Sequence, residues 1–390
     1  MVRHRLCLEK MKKGQIILLL VGIVALSITQ QAFAGNTPPG KYRKIQKYLD
    51  EATLDKLTGV VVYIKGPKHG EWIGTSGYAN LESKQPFQKD NIFSLASIGK
   101  MYTAVAVMKL MEEGQLQLDD KIAKYLPEEI IENLPNAREV TIRHLLGHTS
   151  GFASYEFDPE LNRLYLSGLL KLDTLSHENT LRRYVYGKTS LNKPGTEFHY
   201  SSTNYMLLAM VMDKVVPEGH SDYLRKLIHK QGFANTYYRQ TPVQKNVSYY
   251  GDLNQDGIVE DLTAQTMETT NWFTGDDGVY APIEEAAHFL QDLMKDKILN
   301  QQSLREMMTW NNEKKPDYGL GLMADKSFPY GFLVGHSGRG IGITTDLYYF
   351  PKQDITVAIF CNTGYRIGSP DLKKAYLKMR KKIVKKIFLF

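Results

Sequence analysis

Hydrophobic positions along this chain recur at two spacings, and each spacing predicts a different element. A helical repeat of apolar residues predicts three helices, the second of which should stop at Gly114. These helical segments are 40–55, 98–113 and 203–215. Apolar runs bounded by turn residues predict strands. The strand segments are 59–65, 71–78, 332–336, 343–350 and 355–362.

The predicted strands lie at the two ends of the chain, and residues 101–310 between them are mainly helical. This order predicts an α/β (α+β) fold in which both ends build one layer around a large helical insertion. No internal repeat and no linker rich in Pro, Gly or Ser divides the sequence. We therefore expect a single domain over residues 35–390.

The chain ends in a basic amphipathic segment, residues 371–390. Its apolar residues at helical spacing are Leu372, Tyr376, Met379, Ile383, Ile387 and Phe390. A basic helix of this kind can lie on a membrane surface. Because an apolar stripe more often covers a protein's own core, we favour a terminal helix that docks on the sheet.

The first 34 residues have the pattern of a cleaved signal peptide. Two lysines precede an apolar run over 16–28, and Ala32-Phe33-Ala34 provides a small-x-small cleavage pattern. The run is shorter than a typical membrane-spanning helix. We predict an exported protein, periplasmic or extracellular, whose first mature residue is Gly35.

Composition and charge narrow the function classes. The 390 residues are 43% hydrophobic and 23% charged, which excludes a disordered polymer. The net charge of +7 is concentrated at the two chain ends, and the body over 35–370 is slightly negative, which argues against nucleic-acid binding. Cys361 is the only thiol of the predicted mature chain, so neither a disulfide framework nor a zinc site is expected.

The first candidate for chemistry is Ser97, where a strand-like stretch leads into the strongest apolar helix. A serine at a helix start lies near free backbone N–H groups, which suits a centre where negative charge develops. Three residues on is about one helical turn, so the Lys100 amine should lie beside the Ser97 hydroxyl. A half-buried lysine there can lose its proton and activate the serine.

The second candidate is Tyr200, at the junction before the helix predicted over 203–215. A tyrosine at such a junction can present its hydroxyl to a cleft as a proton relay. Without further evidence, a tyrosine at such a junction more often packs on the helix as an aromatic side chain.

The third candidate is His336-Ser337-Gly338-Arg339, at the end of a predicted strand. Glycine on a strand edge allows close approach of a ligand or another backbone. We expect His336 to give substrate a hydrogen bond or a switchable positive charge, and Arg339 to pair with a carboxylate. A solvated edge and a β-bulge are the alternatives.

Taken in order, these three groups resemble the motifs of the serine β-lactamase and penicillin-binding protein superfamily, especially its class C β-lactamase, D-Ala-D-Ala carboxypeptidase and family VIII esterase-like branch. Further stretches are similar to that branch, and the resemblance covers about residues 41–390. These stretches are 142–151, 194–198 and 318–322. The resemblance implies a β-lactamase/transpeptidase-like antiparallel sheet flanked by helices.

The resemblance also implies roles for these residues. Ser97 is the acylated nucleophile, Lys100 its base, and Tyr200 the group that carries a proton to and from the leaving group. The backbone N–H groups of Ser97 and Arg339 form the oxyanion hole. The residues expected to border the substrate are His336, Ser337, Gly338, Arg339 and Ser202.

Two departures from the family pattern affect substrate recognition. Ser202 stands where the family carries asparagine, which removes an amide expected to hold the substrate. His336 stands where many relatives carry lysine, so acidic pH should favour substrates with a carboxylate. The implied substrate is a small molecule or peptide, with a D-amino-acid peptide, cell-wall peptide, β-lactam and carboxylic ester all open. No cofactor or metal is expected.

Three rival interpretations remain for this sequence. A non-catalytic module could keep the fold and bind cell-wall peptide or a protein partner. Gly335 to Arg339 partly matches a nucleophile elbow, but the strand-turn-helix context that this motif needs is missing. Asp252 to Gly257 matches half of a calcium loop, although an Asx-rich turn is the favoured interpretation because its twelfth position is Thr263.

Overall fold

The two ends of the chain meet in one eight-stranded sheet whose neighbouring strands are antiparallel. The computed structural model describes residues 38–167, 176–239, 245–310, 317–366 and 369–389. The predicted signal peptide, residues 1–34, lies outside the described residues. In spatial order the strands are β3 (Gln85–Pro86), β2 (Gly70–Asn80), β1 (Gly59–Gly66), β13 (Ile355–Cys361), β12 (Thr344–Phe350), β11 (Leu333–Arg339), β10 (Met323–Asp325) and β9 (Asp317–Tyr318). The predicted α+β fold is confirmed.

Most of the helices lie in the chain between the two groups of strands. The helices within the described ranges are α1 (Arg43–Asp55), α2 (Gly99–Glu112), α3 (Glu128–Asn133), α4 (Ile142–Leu146), α5 (Pro159–Leu166), α6 (His177–Tyr184), α7 (Ser202–Val215), α8 (Gly219–Lys230), α9 (Thr263–Trp272), α10 (Ile283–Met294), α11 (Gln301–Met307) and α12 (Pro370–Ile387). Short strands form two three-stranded sheets beside them. These strands are β4 (Phe93–Ser94), β5 (Tyr237–Tyr238), β6 (Tyr250–Gly251), β7 (Glu260–Asp261), β8 (Val279–Ala281) and β14 (Thr363–Gly364).

Both faces of the large sheet are covered, which explains the apolar runs of its central strands. β1 pairs with β13 in a register that places Val61 opposite Phe360. Every residue of β13 is buried. One face packs against α1 and α12, and the other packs against the helical insertion. A strand buried on both sides loses the alternation of polar and apolar residues.

The terminal helix α12 packs on the protein itself. The Ser369 hydroxyl accepts a hydrogen bond from the Leu372 N–H and caps the helix. The apolar stripe is buried in one cluster with α1 and the sheet, and its buried members are Leu372, Tyr376, Met379, Ile383 and Ile387. Phe390 lies outside the described residues. The favoured docked arrangement is confirmed, and no helix of the described chain has the length and hydropathy needed to cross a membrane.

Candidate active site

Ser97 lies in a 3₁₀ turn, Ala96–Ile98, that leads directly into α2. Ala96 has a φ of 48°, a left-handed conformation that non-glycine residues rarely adopt. Backbone strain of this kind is typical of functional turns, where the surrounding fold holds it in place. α2 ends before Gly114, whose φ is 72°. The predicted start and end of this helix are therefore correct to within one residue.

Lys100 lies one turn further along, with Nζ 3.2 Å from Ser97 Oγ. Its side chain is completely buried. The ammonium is 3.5 Å from Asp276 Oδ2 and donates to the Asp276 carbonyl at 3.3 Å. The helical spacing thus brings Ser97 and Lys100 together as predicted, and the fold adds a carboxylate that sequence spacing did not reveal.

The charge of Lys100 differs from the expectation of a half-buried lysine that loses its proton. Burial lowers the pKa of Lys100, but the Tyr200 oxygen and the Asp276 carboxylate outweigh this effect, so its net pKa is raised. Burial raises the pKa of Asp276 to about 6, against the opposing effect of Lys100. At neutral pH the resting pair is an ammonium and a carboxylate.

Tyr200 stands immediately before α7 and joins the same group. Its phenol interacts with the Ser97 hydroxyl and the Lys100 ammonium. Lys100 Nζ lies 5.1 Å from the centre of the Tyr200 ring. On its other side the ring packs against His148, with centroids 4.3 Å apart. Tyr200, remote in sequence, therefore converges with Ser97 and Lys100 on one point.

His148 supports Tyr200 from the core. It is fully buried, and its Nδ1 accepts hydrogen bonds from the Ser201 N–H and from Asn204 Nδ2, each at 3.2 Å. The Asn204 oxygen accepts from Ser150 at 2.6 Å, so this amide lies in the core and not in the cavity. Burial lowers the pKa of His148 well below its ordinary value, so the ring is neutral.

Gly338 brings β11 against the turn that carries Ser97. A Cβ atom at residue 338 would lie 2.4 Å from the Leu95 carbonyl oxygen and 2.9 Å from Ala96 Cβ. Only glycine permits this approach. β11 continues through Arg339, whereas the predicted strand ended at His336, because Gly338 and Arg339 still pair with β12.

His336, which we expected to border the substrate, lies in the core. It is fully buried, Nδ1–H donates to the Ser337 carbonyl at 2.7 Å, and Nε2 accepts from the Tyr318 hydroxyl at 3.0 Å. Burial lowers the pKa of His336 to about 3. The histidine is therefore neutral and already hydrogen-bonded, and the expected gain with carboxylate substrates at acidic pH has no basis in this geometry.

The side chains of Ser337 and Arg339, also expected to border the substrate, bond to other groups of the protein. Ser337 Oγ donates to Met323 Sδ at 3.7 Å. The Arg339 guanidinium pairs with Asp346 at 2.6 Å and lies over the Tyr376 ring of α12. Alternation along a strand directs these side chains to the face opposite Gly338. The expected carboxylate partner of Arg339 is thus an internal one, although the residue still borders the cavity.

Ser202, in place of the family asparagine, is fully buried. Its hydroxyl donates to Glu156 Oε2 at 2.7 Å. Glu156 forms an ion pair with Arg366 at 3.4 Å. Ser202 therefore holds a carboxylate of the protein at this point in the site.

A cavity of about 80 Å³ opens beside Ser97. The titratable lining residues that sequence reasoning missed are Tyr155, Glu156, Tyr165, Asp276, Asp277 and Arg366. The one local signal for them was Gly275-Asp276-Asp277-Gly278, adjacent acidic residues between glycines ahead of a buried strand. The others come from segments whose sequences carry no distinctive pattern.

The two possible metal sites outside the cavity are weak. The Asp252 carboxylate accepts the N–H groups of Asp256 and Gly257 at 3.1 and 3.2 Å. The Asp256 carboxylate accepts the Ile258 N–H at 2.8 Å, which is the geometry of an Asx turn. In the part of the chain that is described, one group of side chains could hold a metal ion, namely Glu71, Glu284 and His288. The Lys65 ammonium, 3.3 Å from Glu71, already pairs with one of its two carboxylates.

Solved structures share this architecture over almost the whole chain. The D-amino acid amidase from Ochrobactrum anthropi SV3, complexed with L-phenylalanine amide, has a TM-score of 0.74 at 22% identity and covers 90% of this chain and 99% of its own. A D-stereospecific amidohydrolase from Streptomyces sp. has a TM-score of 0.73 at 24% identity, covering 89% and 98%. By fold, this protein is of the serine β-lactamase-like class.

The chain belongs to the Beta-lactamase family, whose family model matches residues 50–378. Penicillin-binding protein 4* of Bacillus subtilis is similar, with 27% identity over 309 residues. That match includes 73% of this chain and 64% of the relative, so this chain spans about two thirds of the length of that relative.

Proposed function

We propose that this protein is an exported serine hydrolase that cleaves an amide or ester through an acyl-enzyme on Ser97. The observation that carries the proposal is the 3.2 Å separation of Lys100 Nζ and Ser97 Oγ at the start of α2. A hydroxyl in contact with a titratable group, beside a cavity, is the arrangement that covalent acyl transfer requires. Membership of the Beta-lactamase family supports the same reaction class.

In acylation, Ser97 Oγ forms a bond to the substrate carbonyl carbon, and the bond from that carbon to the leaving nitrogen or oxygen breaks. Lys100 first passes a proton to the Asp276 carboxylate, 3.5 Å away, and then accepts the proton of the Ser97 hydroxyl. Lys100 and Tyr200 deliver that proton to the leaving group, after which Asp276 returns its own. Water hydrolyses the acyl-enzyme with the same groups acting in reverse.

The negative charge that develops on the carbonyl oxygen lies, in this proposal, between the backbone N–H groups of Ser97 and Arg339. The close approach of β11 at Gly338 supports the assignment, because it brings this strand against the Ser97 turn. A fixed donor at such a position contributes about 3 kcal/mol to lowering the barrier.

Two of the solved structures with this fold bear on the substrate class. Two proteins with this fold are named as a D-amino acid amidase and a D-stereospecific amidohydrolase. We therefore place amides and esters of amino acids ahead of β-lactams and cell-wall peptides as substrates.

Intact-mass analysis of the purified protein tests the proposal. We expect an acyl adduct on the wild type after mixing with a p-nitrophenyl ester, a penicillin or a D-amino acid amide, and none on Ser97→Ala. Ser190→Ala is the matched control, since Ser190 has the same spacing to Lys193 but bonds within a loop. If no acyl donor labels Ser97, the proposal fails and the non-catalytic binding module is favoured.

Export is a separate part of the proposal. The lysines, apolar run and Ala32-Phe33-Ala34 site support it. Expression of the full chain in a bacterium should yield a secreted or periplasmic protein whose mass begins at Gly35. A cytoplasmic product that retains residues 1–34 would contradict it.

A further inference from the structure

The cavity beside Ser97 is lined by three carboxylates, and only two of them have a cationic partner. Glu156 pairs with Arg366 at 3.4 Å, and Asp276 pairs with Lys100 at 3.5 Å. Asp277, the third, has no ion pair within the described parts of the chain; its Oδ1 accepts the Gly278 N–H at 2.8 Å.

The other guanidinium that borders the cavity does not neutralise Asp277. Arg339 is 2.6 Å from Asp346, on the opposite face of the sheet. Among the described residues, Asp277 is therefore the carboxylate of this cavity that lacks an ion pair.

Asp277 is held firmly beside the nucleophile. Its backbone packs on Gly99, where a Cβ atom would lie 3.2 Å from Asp277 Cα. Gly99 stands two residues after Ser97, at the first turn of α2. The Asp277 side chain is partly exposed, and it borders the same cavity as Ser97.

An unpaired carboxylate in this setting is costly. Burial and the neighbouring Asp276 carboxylate raise the pKa of Asp277 to about 7. A cation bound beside it would offset both the desolvation and the repulsion between like charges. A primary ammonium suits the site because it is compact and has three N–H donors for several carboxylate oxygens.

We infer that Asp277, with Glu156 and Asp276, forms a subsite for a primary ammonium group on the acyl part of the substrate. This inference rests on the proposed function, because it concerns the acyl group that Ser97 receives. The ammonium could be the α-ammonium of an amino acid with a free N-terminus or the terminal ammonium of a longer acyl chain. N-acylated and acidic acyl groups should be poor substrates.

Matched p-nitroanilides test the subsite. D-Alanine p-nitroanilide carries an α-ammonium, its N-acetyl derivative is neutral, and 6-aminohexanoyl p-nitroanilide carries a terminal ammonium. In the wild type we expect kcat/KM for one of the two ammonium substrates to exceed that for the acetyl compound by about tenfold or more. The preferred ammonium substrate shows whether the subsite binds an α-ammonium or a terminal ammonium. In Asp277→Asn that preference should fall by about tenfold.

Two controls separate a lost charge from a damaged fold. The Asp277→Asn change keeps the Oδ1 acceptor for the Gly278 N–H, and thermal unfolding checks that the variant is folded. Asp55→Asn removes the same charge from an exposed position on α1, across the sheet, and should leave the preference intact. A wild type without the preference, or an equal preference in Asp277→Asn, would overturn the inference.

A binding measurement keeps the inference separate from the proposed function. Calorimetry measures binding to the Ser97→Ala protein and to the same protein with the added Asp277→Asn change. The ligands are D-alanine amide and 6-aminohexanamide, which carry an ammonium, and N-acetyl-D-alanine amide, which is neutral. We expect the Asp277→Asn change to weaken binding of an ammonium ligand by about tenfold. If no ester or amide acylates Ser97 in the wild type, the proposed function fails while this comparison still decides the subsite. Undetectable binding of both ammonium ligands, or equal binding with and without the change, refutes the subsite.

Discussion

Lys100 Nζ and the Asp276 carboxylate form a buried ion pair at 3.5 Å, although the two residues are 176 positions apart in sequence. The same ammonium contacts the hydroxyl of Ser97. The loop before β8 therefore takes part in setting the protonation state of the group next to Ser97. This relationship predicts how the reaction should depend on pH.

Asp276→Asn should change the pH profile of ester hydrolysis. The pKa of Asp276 is raised to about 6, so below that pH the carboxyl is protonated and cannot take a proton from Lys100. In the wild type, kcat/KM should fall as pH drops below about 6. The variant should lose this limb, and its kcat/KM at neutral pH should be roughly a hundredfold lower. An unchanged limb would show that Asp276 is only a counter-charge.

Gly338→Ala should separate β11 from the Ser97 turn. The added methyl would lie 2.4 Å from the Leu95 carbonyl oxygen, a backbone atom that cannot move aside easily. We expect a loss of about 1–3 kcal/mol of unfolding free energy and at least about a tenfold fall in kcat/KM, measured by denaturation and ester hydrolysis. Gly40→Ala, which meets only the end of the Arg43 side chain, is the control for stability. Equal effects of the two changes would contradict the assignment.

Asp277→Asn should stabilise the folded protein at alkaline pH. Because the pKa of Asp277 is raised to about 7, the folded state binds more protons than the unfolded state between about pH 4 and 7, and stability falls as pH rises through this window. The asparagine variant should gain about 1–3 kcal/mol at about pH 8, and the gain should shrink towards about pH 4. Urea denaturation at several pH values measures it. A constant difference would rule out titration as the cause.

Asp346→Asn should be strongly destabilising. Asp346 is buried between Arg339 at 2.6 Å and Arg380 at 2.9 Å, and it accepts a hydrogen bond from the Tyr376 hydroxyl. Its loss leaves two cations without their anion, at a cost of about 3–5 kcal/mol. Tyr376→Phe removes one hydrogen bond and should cost about 1 kcal/mol. Chemical denaturation of both variants tests the order, and a larger loss in Tyr376→Phe would refute it.

Deletion of residues 370–390 should yield insoluble protein. The deletion exposes the face of the sheet and α1 that α12 covers, including Ile45 and Ile359. Large exposed apolar surfaces promote aggregation. Fractionation of cells that express the truncated or the full-length protein measures how much of each is soluble, insoluble or bound to the membrane. A soluble truncated protein, released from a membrane fraction that retains the full chain, would instead favour membrane attachment.

The sequence predicted the elements of this fold well because their signals are local. Helix spacing placed Lys100 beside Ser97, and the turn before α7 placed Tyr200 at a helix start. The apolar stripe of α12 predicted its docking. In each case the relevant residues lie within one helix or next to its end, so the backbone geometry of that element determines their relation.

The sequence predicted the side chains around the reaction centre poorly. His336 and Arg339 belong to a strand covered on both faces, so no polar–apolar alternation indicated which side chain would meet the cavity. Packing of the insertion on one face and α12 on the other decided that His336 lies in the core and Arg339 pairs with Asp346.

The sequence alone therefore determined the order of elements, the sheet built from both chain ends and the Ser97–Lys100 contact. Only the tertiary structure decided which charges surround that contact: Asp276 and Asp277 come from the loop before β8, and Glu156 comes from a separate segment. The physical reason is that a helical repeat acts over a few residues, whereas the electrostatic environment of a buried group is set by whatever the fold packs within a few ångströms of it.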